Sequence, residues 1–375
     1  MAANFDVIVL GLGAAGSSAL YHLSKTGKKV CGIDQFAPPH SFGSSHGQSR
    51  IIRQAYHEHP QYVPLVKQAY MLWDELEKAW GRQLFRQTGG IMLGNAHSGV
   101  VTGAELSARS HDIPYEYLNN KDIRKRFPAF KPDDDTVGVL EKQAGILFPE
   151  ECVKANLTLA DSNGADVKTN ERVTAVAPDA NGVTVTTTHR KYTADKLIVS
   201  AGAWLGNLLP DLQLPLTVER QVLFWFKAQQ TQLALGELPI YIWEYEAGKI
   251  FYGFPDLGDG IKVAHHHAGR VIKPAELVND VDGKEVDAMT EVVKRHFNIV
   301  PGFNYATTCM YTNTPDEHFI IDRHPQHSNI IIVSPCSGHG FKFASIMGKI
   351  FSDMALENKL DFDISMFGIG RPALV

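Results

Sequence analysis

Three glycines and one aspartate, Gly11, Gly13, Gly16 and Asp34, carry the densest chemical information in this chain of 375 residues. The glycines form G-x-G-x-x-G directly after the apolar run 5–10, and residues 14–25 have helical character. Gly27 stands where a helix C-cap is expected. Residues 29–33 read as a second strand ending on Asp34, 18 residues after the last glycine. In such a unit Gly11 allows the tight turn and Gly13 lets backbone N–H groups approach a pyrophosphate. Gly16 lets the helix sit close to the sheet, its positive N-terminus facing the phosphates. Asp34 would accept a hydrogen bond from a ribose hydroxyl. With strand, helix, second strand and acid all in place, the pattern predicts a dinucleotide site rather than a glycine-rich turn of no special use. It does not by itself separate FAD from NAD.

The other candidate groups are cations, histidines and a thiol. The loop 35–56 lies beyond the C-terminal end of the second strand, where open α/β sheets bind ligands. It carries His46, Arg50 and Arg53. If a helix starts at Gln48, the two arginines, three apart, point to one side; otherwise they are surface residues. Lys262 has apolar neighbours, Ile261, Val263 and Ala264, and strand alternation leaves open whether it faces solvent. His265, His266 and His267 are consecutive. On a strand only the first and third share a face, and with no third ligand evident no metal site is expected. His339, between two glycines, reads as a loop-structuring residue rather than a base. The four cysteines, Cys31, Cys152, Cys309 and Cys336, are widely spaced with no C-x-x-C. That suggests neither a zinc site nor a disulfide framework, and fits a reducing, intracellular setting.

Positioning these residues takes two interleaved domains. Residues 62–80 form an amphipathic helix with the stripe Tyr62, Val66, Ala69, Trp73, Leu76 and Trp80. Residues 88–93 read as a strand, and a polar, helix-rich stretch to about residue 135 is a first excursion into a second domain. The pattern returns near Gly145, with a helix over 152–161 and short strands over 166–168, 172–176, 182–188 and 191–193. A buried strand over 196–200 then opens, through Gly202, into a helix. A second, strand-rich excursion covers 221–226, 241–245, 250–254 and 260–265, a helix over 282–297 and a strand over 307–312; it reads as an antiparallel sheet. Residues 329–334 are a last buried parallel strand and 341–356 a last helix. The expected fold is α/β, α+β overall. A Rossmann-type nucleotide domain (1–85, 145–218 and 318–375) is interleaved with a mixed or antiparallel-sheet substrate domain (86–144 and 219–317), the active site lying between them.

Hydrophobic residues at 44% and charged residues at 21% are ordinary for a globular protein. A net charge of −5 without a long basic run predicts no nucleic-acid partner. No apolar stretch is long enough to span a membrane, and the N-terminus enters a strand without the regions of a signal peptide. Ala373-Leu374-Val375 is not a peroxisomal S-K-L address. A cytoplasmic location is expected.

Six blocks together resemble the monomeric sarcosine oxidase family, within the FAD amine oxidases that include D-amino acid and glycine oxidases. They are GLGAAG (11–16), HSFGSSHGQSRIIRQAY (40–56), KLIVSAGAW (196–204), YGFP (252–255), CMYTNTPDEHFIIDRHP (309–325) and SGHGFKFA (337–344). The blocks span essentially the whole chain, and SHGQSRIIR and CMYTNTPDE look like the peroxisomal sarcosine/pipecolate oxidase branch. The resemblance implies a D-amino acid oxidase-like fold and a covalent FAD whose 8α-methyl group is joined to the Cys309 thioether. A cation that lowers the thiol pKa would help that attachment. By the same resemblance Arg53 and Lys342 hold the substrate carboxylate, Tyr311 and Phe341 line the pocket, and Tyr252 and His266 form the opposite wall. Lys262 would sit near flavin N5 as a fixed charge for the reaction with oxygen, and His46 and Arg50 beside the ring, tuning it. The implied cofactor contacts are Gly11, Gly13, Gly16, Asp34, Ser45, Arg50, Val173, Gly202, Cys309, Gly338, Gly340, Phe341 and Lys342. The chain departs from the family in two places. Pro335-Cys336 replaces a Gly-aromatic pair, and Trp243 stands where a smaller pocket residue is expected, so it would narrow the pocket and alter substrate choice.

The activity this implies is an FAD-dependent oxidase of small secondary amino acids, sarcosine or related N-methyl or cyclic imino acids. The neutral amine loses a hydride equivalent, water hydrolyses the imine (to glycine and formaldehyde from sarcosine), and oxygen is reduced to hydrogen peroxide. The expected partners are a small-molecule amino acid and oxygen, and the expected state is a monomer. No dedicated general base is apparent, so the pocket has to favour the unprotonated amine. The rivals are a dehydrogenase of the same fold that reduces a quinone or a protein, a flavin-bound redox sensor without turnover, and an NAD-dependent dehydrogenase.

Overall fold

The computed structural model describes residues 3–179 and 182–374; Val375, the end of the C-terminal tripeptide, lies outside them. The strand Ala3–Leu10 is buried on both faces from Val7 to Leu10, as a strand inside a parallel sheet must be. It pairs in parallel with Val30–Ile33 and with Lys191–Val199. Asp166–Lys168 adds beyond Val30–Ile33. Lys191–Val199 shares its other edge: the first half pairs antiparallel with Gly182–Thr187, the second half parallel with Ile330–Ser334. Val173–Asp179 and Ile320–Arg323 complete eight strands.

The second sheet has nine strands, and all but one neighbouring pair are antiparallel. Thr217–Lys227 pairs with Gly302–Asn313, Ile261–His266 and Arg270–Val271. From Ile261–His266 the order continues through Lys249–Phe254, Ile240–Glu246, Gly90–Asn95, Thr136–Glu141 and Glu116–Leu118. The parallel pair is Ile240–Glu246 with Gly90–Asn95, where the two excursions of the chain meet.

Between the two sheets lies a three-stranded sheet of Arg50–Ile52, Gly145–Leu147 and Phe85–Gln87. Of the readings of this loop, a helix from Gln48 is therefore not formed, and Arg50 stands on a strand. Gly47 and Gln48 take φ of +97° and +68°, which turns the chain sharply and commits Arg50 to a strand. Arg53 then falls just past the strand end.

The helix Val63–Trp80 starts behind Pro60 and Pro64 and stops at Gly81, in the left-handed conformation at φ +73°. Its apolar stripe does more than fill the core. Trp73 Nε1 donates to the Lys342 carbonyl at 2.9 Å, and its ring lies parallel to Phe341, centroids 6.1 Å apart. The stripe therefore seats the glycine-rich loop 337–343 from below.

Candidate active site

A cavity of about 940 Å³ runs from the first βα turn into the gap between the two large sheets. At one end Gly11, Gly13, Asp34, Phe36, His40, Ser45, Val173, Gly202 and Trp204 line it. Gly11 has φ +82°, and a Cβ on Gly16 would lie 1.8 Å from the Gly11 carbonyl, so the turn closes only on glycines. The helix Ala14–Ser24 has no side-chain cap of its own; the Ala14 N–H points at Ser45 Oγ, 3.1 Å away. Asp34 is buried, accepting the Leu12 and Phe36 N–H groups at 2.7 and 2.8 Å. Each carboxylate oxygen keeps a lone pair for a hydroxyl.

These features fit FAD. The volume is at the upper end for small-molecule cavities, large enough for a dinucleotide. Among the described residues, His46 Nε2, Arg53 Nε and Thr312 Oγ1 are buried polar atoms without a partner; Arg53 and Thr312 line the cavity, and His46 follows its lining residue Ser45. Burial, reinforced by Arg50, lowers the His46 pKa to about 4, so its ring stays neutral.

The far end is built from the segments 53–58 and 339–342 and from three strands of the second sheet. Arg53, His57, Glu58, Tyr252, His266, Tyr311, His339, Phe341 and Lys342 line it. Arg53 is 1% exposed and donates to Glu58 at 2.6 Å, to His57 at 2.8 Å and to the Ala55 carbonyl at 3.0 Å. Burial opposes ionisation of Glu58, yet Arg53, His57, His339 and Lys342 together hold its carboxyl well below the usual range. Glu141, wholly buried, accepts the N–H groups of Gln54 and Ala55 and so fixes the turn after Arg53. Lys342 donates to the His339 carbonyl at 2.6 Å; burial, opposed by Glu58 and reinforced by Arg53, lowers its pKa to about 7. On the opposite wall the Tyr252 and Tyr311 hydroxyls are 3.3 Å apart, and burial keeps His266 neutral.

Behind this wall, Lys262 is 2% exposed. It does not face solvent. Its Nζ reaches the carbonyls of Gly47 (2.7 Å) and Ser49 (2.9 Å) and the Ser49 hydroxyl (3.2 Å). As an ammonium it donates to all three; as an amine it donates to the carbonyls and accepts from the hydroxyl. Burial, then the charge of Arg50, pushes its pKa well below the lysine range. Glu150 pins this turn by accepting the N–H groups of Gly47 and Gln48. Cys309 is also buried, in a cluster with Leu223, Trp225, Ala264 and Tyr311. Burial raises its thiol pKa, and Arg50 and Lys262 pull it down. Met310, Tyr311 and Thr312 line the cavity and Cys309 does not, whereas Cys336 does.

Trp243 belongs elsewhere. It is 1% exposed and packs against Phe130, Phe251 and His296 in the substrate-domain core. The cross-strand partner of Tyr252 is Ile242, so Ile242 shares its face and lines the cavity, while Trp243, opposite Phe251, points away. The histidine run also breaks the strand pattern: the strand ends at His266, His267 takes φ +53°, and their rings come to 4.1 Å. Tyr56, His57, Glu58, Glu141 and Glu150 were not singled out by sequence reasoning; each acts through a turn or through a contact distant in sequence, which no periodicity shows.

A strand–glycine–helix dinucleotide site joined to a buried cationic pocket defines a flavoprotein oxidoreductase. The chain belongs to the FAD dependent oxidoreductase (DAO) family, whose model matches residues 6–354. It is 44% identical over 384 residues to monomeric sarcosine oxidase of Streptomyces avermitilis, covering all of this chain and 99% of that one. It is 38% identical over 373 residues to N-methyl-L-tryptophan oxidase of Yersinia pestis, covering 98% and 99%. Among solved structures, NikD, an unusual amino acid oxidase essential for nikkomycin biosynthesis, matches with a TM-score of 0.86 at 24% identity over 98% of this chain and 97% of that one. Glycine oxidase from Geobacillus kaustophilus matches at 0.83 and 16% over 98% and 99%. At these identities the solved structures speak for the fold alone. No helix among the described residues is long and apolar enough to cross a membrane.

Proposed function

We propose that this protein is an FAD-dependent oxidase of N-methyl amino acids, acting as a monomer and producing hydrogen peroxide. The observation that carries the proposal is the pair of buried cations, Arg53 and Lys342, facing a wall of Tyr252, His266 and Tyr311 at the end of the dinucleotide cavity. A small zwitterion's carboxylate fits the cations, and its amine fits the wall. FAD, when bound, accepts a hydride equivalent from the carbon next to the amine nitrogen.

The chain's own residues bind, orient and desolvate the substrate. Arg53 Nε is a buried donor without a partner, ready for a carboxylate oxygen. Arg53 and Lys342 add positive charge beside the amine, which favours its unprotonated form, and neutral His266 adds no charge against it. Ser45, Asp34 and the turn glycines would hold the nucleotide, with Arg50 and His46 at the reacting end. We assign the covalent link to Cys309. We infer a domain division close to that of the sheets: residues 1–85, 145–218 and 318–375 would hold FAD, and 86–144 and 219–317 would carry the substrate wall.

A desolvated charge-assisted hydrogen bond is worth about 1.5–3 kcal/mol, so Arg53→Met is expected to weaken a carboxylate inhibitor by roughly one to two orders of magnitude. Titration by flavin absorbance measures it; unchanged affinity in both Arg53→Met and Lys342→Met would rule out the clamp. The reaction is tested by oxygen uptake and peroxide yield with sarcosine, which should match mole for mole. Reduction of a quinone dye with no oxygen uptake would make the protein a dehydrogenase instead.

A further inference from the structure

Behind the carboxylate clamp lies a chain of buried hydrogen bonds that reaches the cavity at His339 and Lys342. His339 is 6% exposed and sits between Glu317 and Tyr56. Its Nε2 is 2.9 Å from the Glu317 carbonyl, which can only accept, so Nε2 carries the hydrogen. Nδ1 is then the acceptor, and the Tyr56 hydroxyl donates to it in a short contact. With its proton committed there, the Tyr56 oxygen presents lone pairs to Lys342 Nζ, 3.5 Å away. The second acceptor on Lys342 is His339's own carbonyl, at 2.6 Å. Both groups that receive the lysine's hydrogens therefore depend on where His339 sits.

The far end of the chain is anchored. Arg371 binds the Asp316 carboxylate at 2.7 and 2.9 Å and the carbonyls of His318 and Phe319, which fixes the loop carrying Glu317. Phe319 stacks on the His339 ring at 4.7 Å. Glu58 attracts Lys342, but its ion pair is with Arg53; burial lowers the His57 pKa to about 4 and leaves that ring neutral.

We infer that His339 is a positioning residue for the substrate carboxylate: by orienting the Tyr56 hydroxyl it holds Lys342 in place as a carboxylate-binding cation. This rests on Lys342 belonging to the clamp. Breaking the His339–Tyr56 bond frees the hydroxyl to turn its hydrogen toward Lys342, which disfavours the ammonium. The groups facing that ammonium are Glu58, Arg53, His57, Tyr56 and His339. Burial lowers the His339 pKa to about 3 and raises that of Tyr56 well above its usual value, so both stay neutral while Lys342 titrates near 7.

The test is binding of methoxyacetate, which has an ether oxygen in place of the amine of sarcosine, followed by flavin absorbance from pH 6 to 9 on the loaded protein. In the wild type, affinity should fall as pH rises and Lys342 loses its proton. His339→Gln keeps a donor near Nε2 and loses the acceptor for Tyr56; Tyr56→Phe removes the hydroxyl. In both, the fall should begin about one pH unit lower, giving roughly tenfold weaker binding at pH 7.5. His339→Asn keeps an acceptor near Nδ1 and should stay within about threefold of wild type. A wild-type profile in His339→Gln, or equal losses in His339→Asn and His339→Gln, overturns the inference. If Lys342→Met binds methoxyacetate as the wild type does, the clamp itself fails, and this inference with it. A weak Lys342→Met beside a wild-type His339→Gln overturns the inference alone.

Discussion

Lys262→Met is expected to slow re-oxidation of the reduced protein by air at least about a hundredfold, as loss of one preorganised donor typically does. Its anaerobic reduction by substrate should stay within about tenfold, a change of under about 1.4 kcal/mol in barrier. The two half-reactions separate because they use different residues. In the proposed binding mode substrate meets Arg53 and Lys342, which line the cavity, whereas Lys262 is bound to Gly47 and Ser49. With no carboxylate bonded to it, its Nζ can answer negative charge that develops on oxygen. Methionine leaves the two carbonyls without that donor, at a cost to stability of about 1–3 kcal/mol. Near-normal anaerobic reduction would show that the site still forms. Stopped-flow measurement of each half-reaction decides it; re-oxidation at the wild-type rate would make Lys262 a structural residue of the turn 47–49.

Cys309→Ala is expected to release the flavin. Wild-type protein precipitated in acid should stay yellow, and the variant should give its colour to the supernatant. The competing thiol is Cys336, which lines the cavity, whereas Cys309 lies behind Tyr311. The chemistry favours Cys309 because Arg50 and Lys262 both pull its thiol pKa down, while burial raises the Cys336 pKa to about 11. Retained colour in Cys309→Ala together with loss in Cys336→Ala would reassign the attachment.

The nucleotide end of the site was legible because its signals are local. The strand, the glycines at 11, 13 and 16, and Asp34 all fall within one βαβ unit, and each performs its part through backbone geometry. The substrate end was legible only where a block of residues carried it. Arg53 could be named, but not its partner Glu58, nor Glu141, which holds the backbone of the turn after it, since an ion pair made through a turn and a contact across 86 residues leave no periodicity. The three-residue strand Arg50–Ile52 was missed for the same reason: its partner is Gly145–Leu147, and local sequence cannot announce so distant a pairing. Trp243 shows the opposite case. Alternation along Ile240–Glu246 was available, and pairing of Ile242 with Tyr252 would have placed the tryptophan on the buried face. What was lacking was the register across the turn. Lys262 faces inward because the turn at Gly47 and Gln48 delivers acceptors to it, and that turn depends on two positive φ values.

Anaerobic mixing of the purified yellow protein with sarcosine and with larger N-methyl amino acids tests the central claim most directly. The flavin absorbance near 450 nm should bleach with at least one N-methyl amino acid, fail to bleach with the same compounds lacking the carboxylate, and return on admission of air. A flavin that stays fully oxidised with every N-methyl amino acid offered, while still binding methoxyacetate, would contradict it.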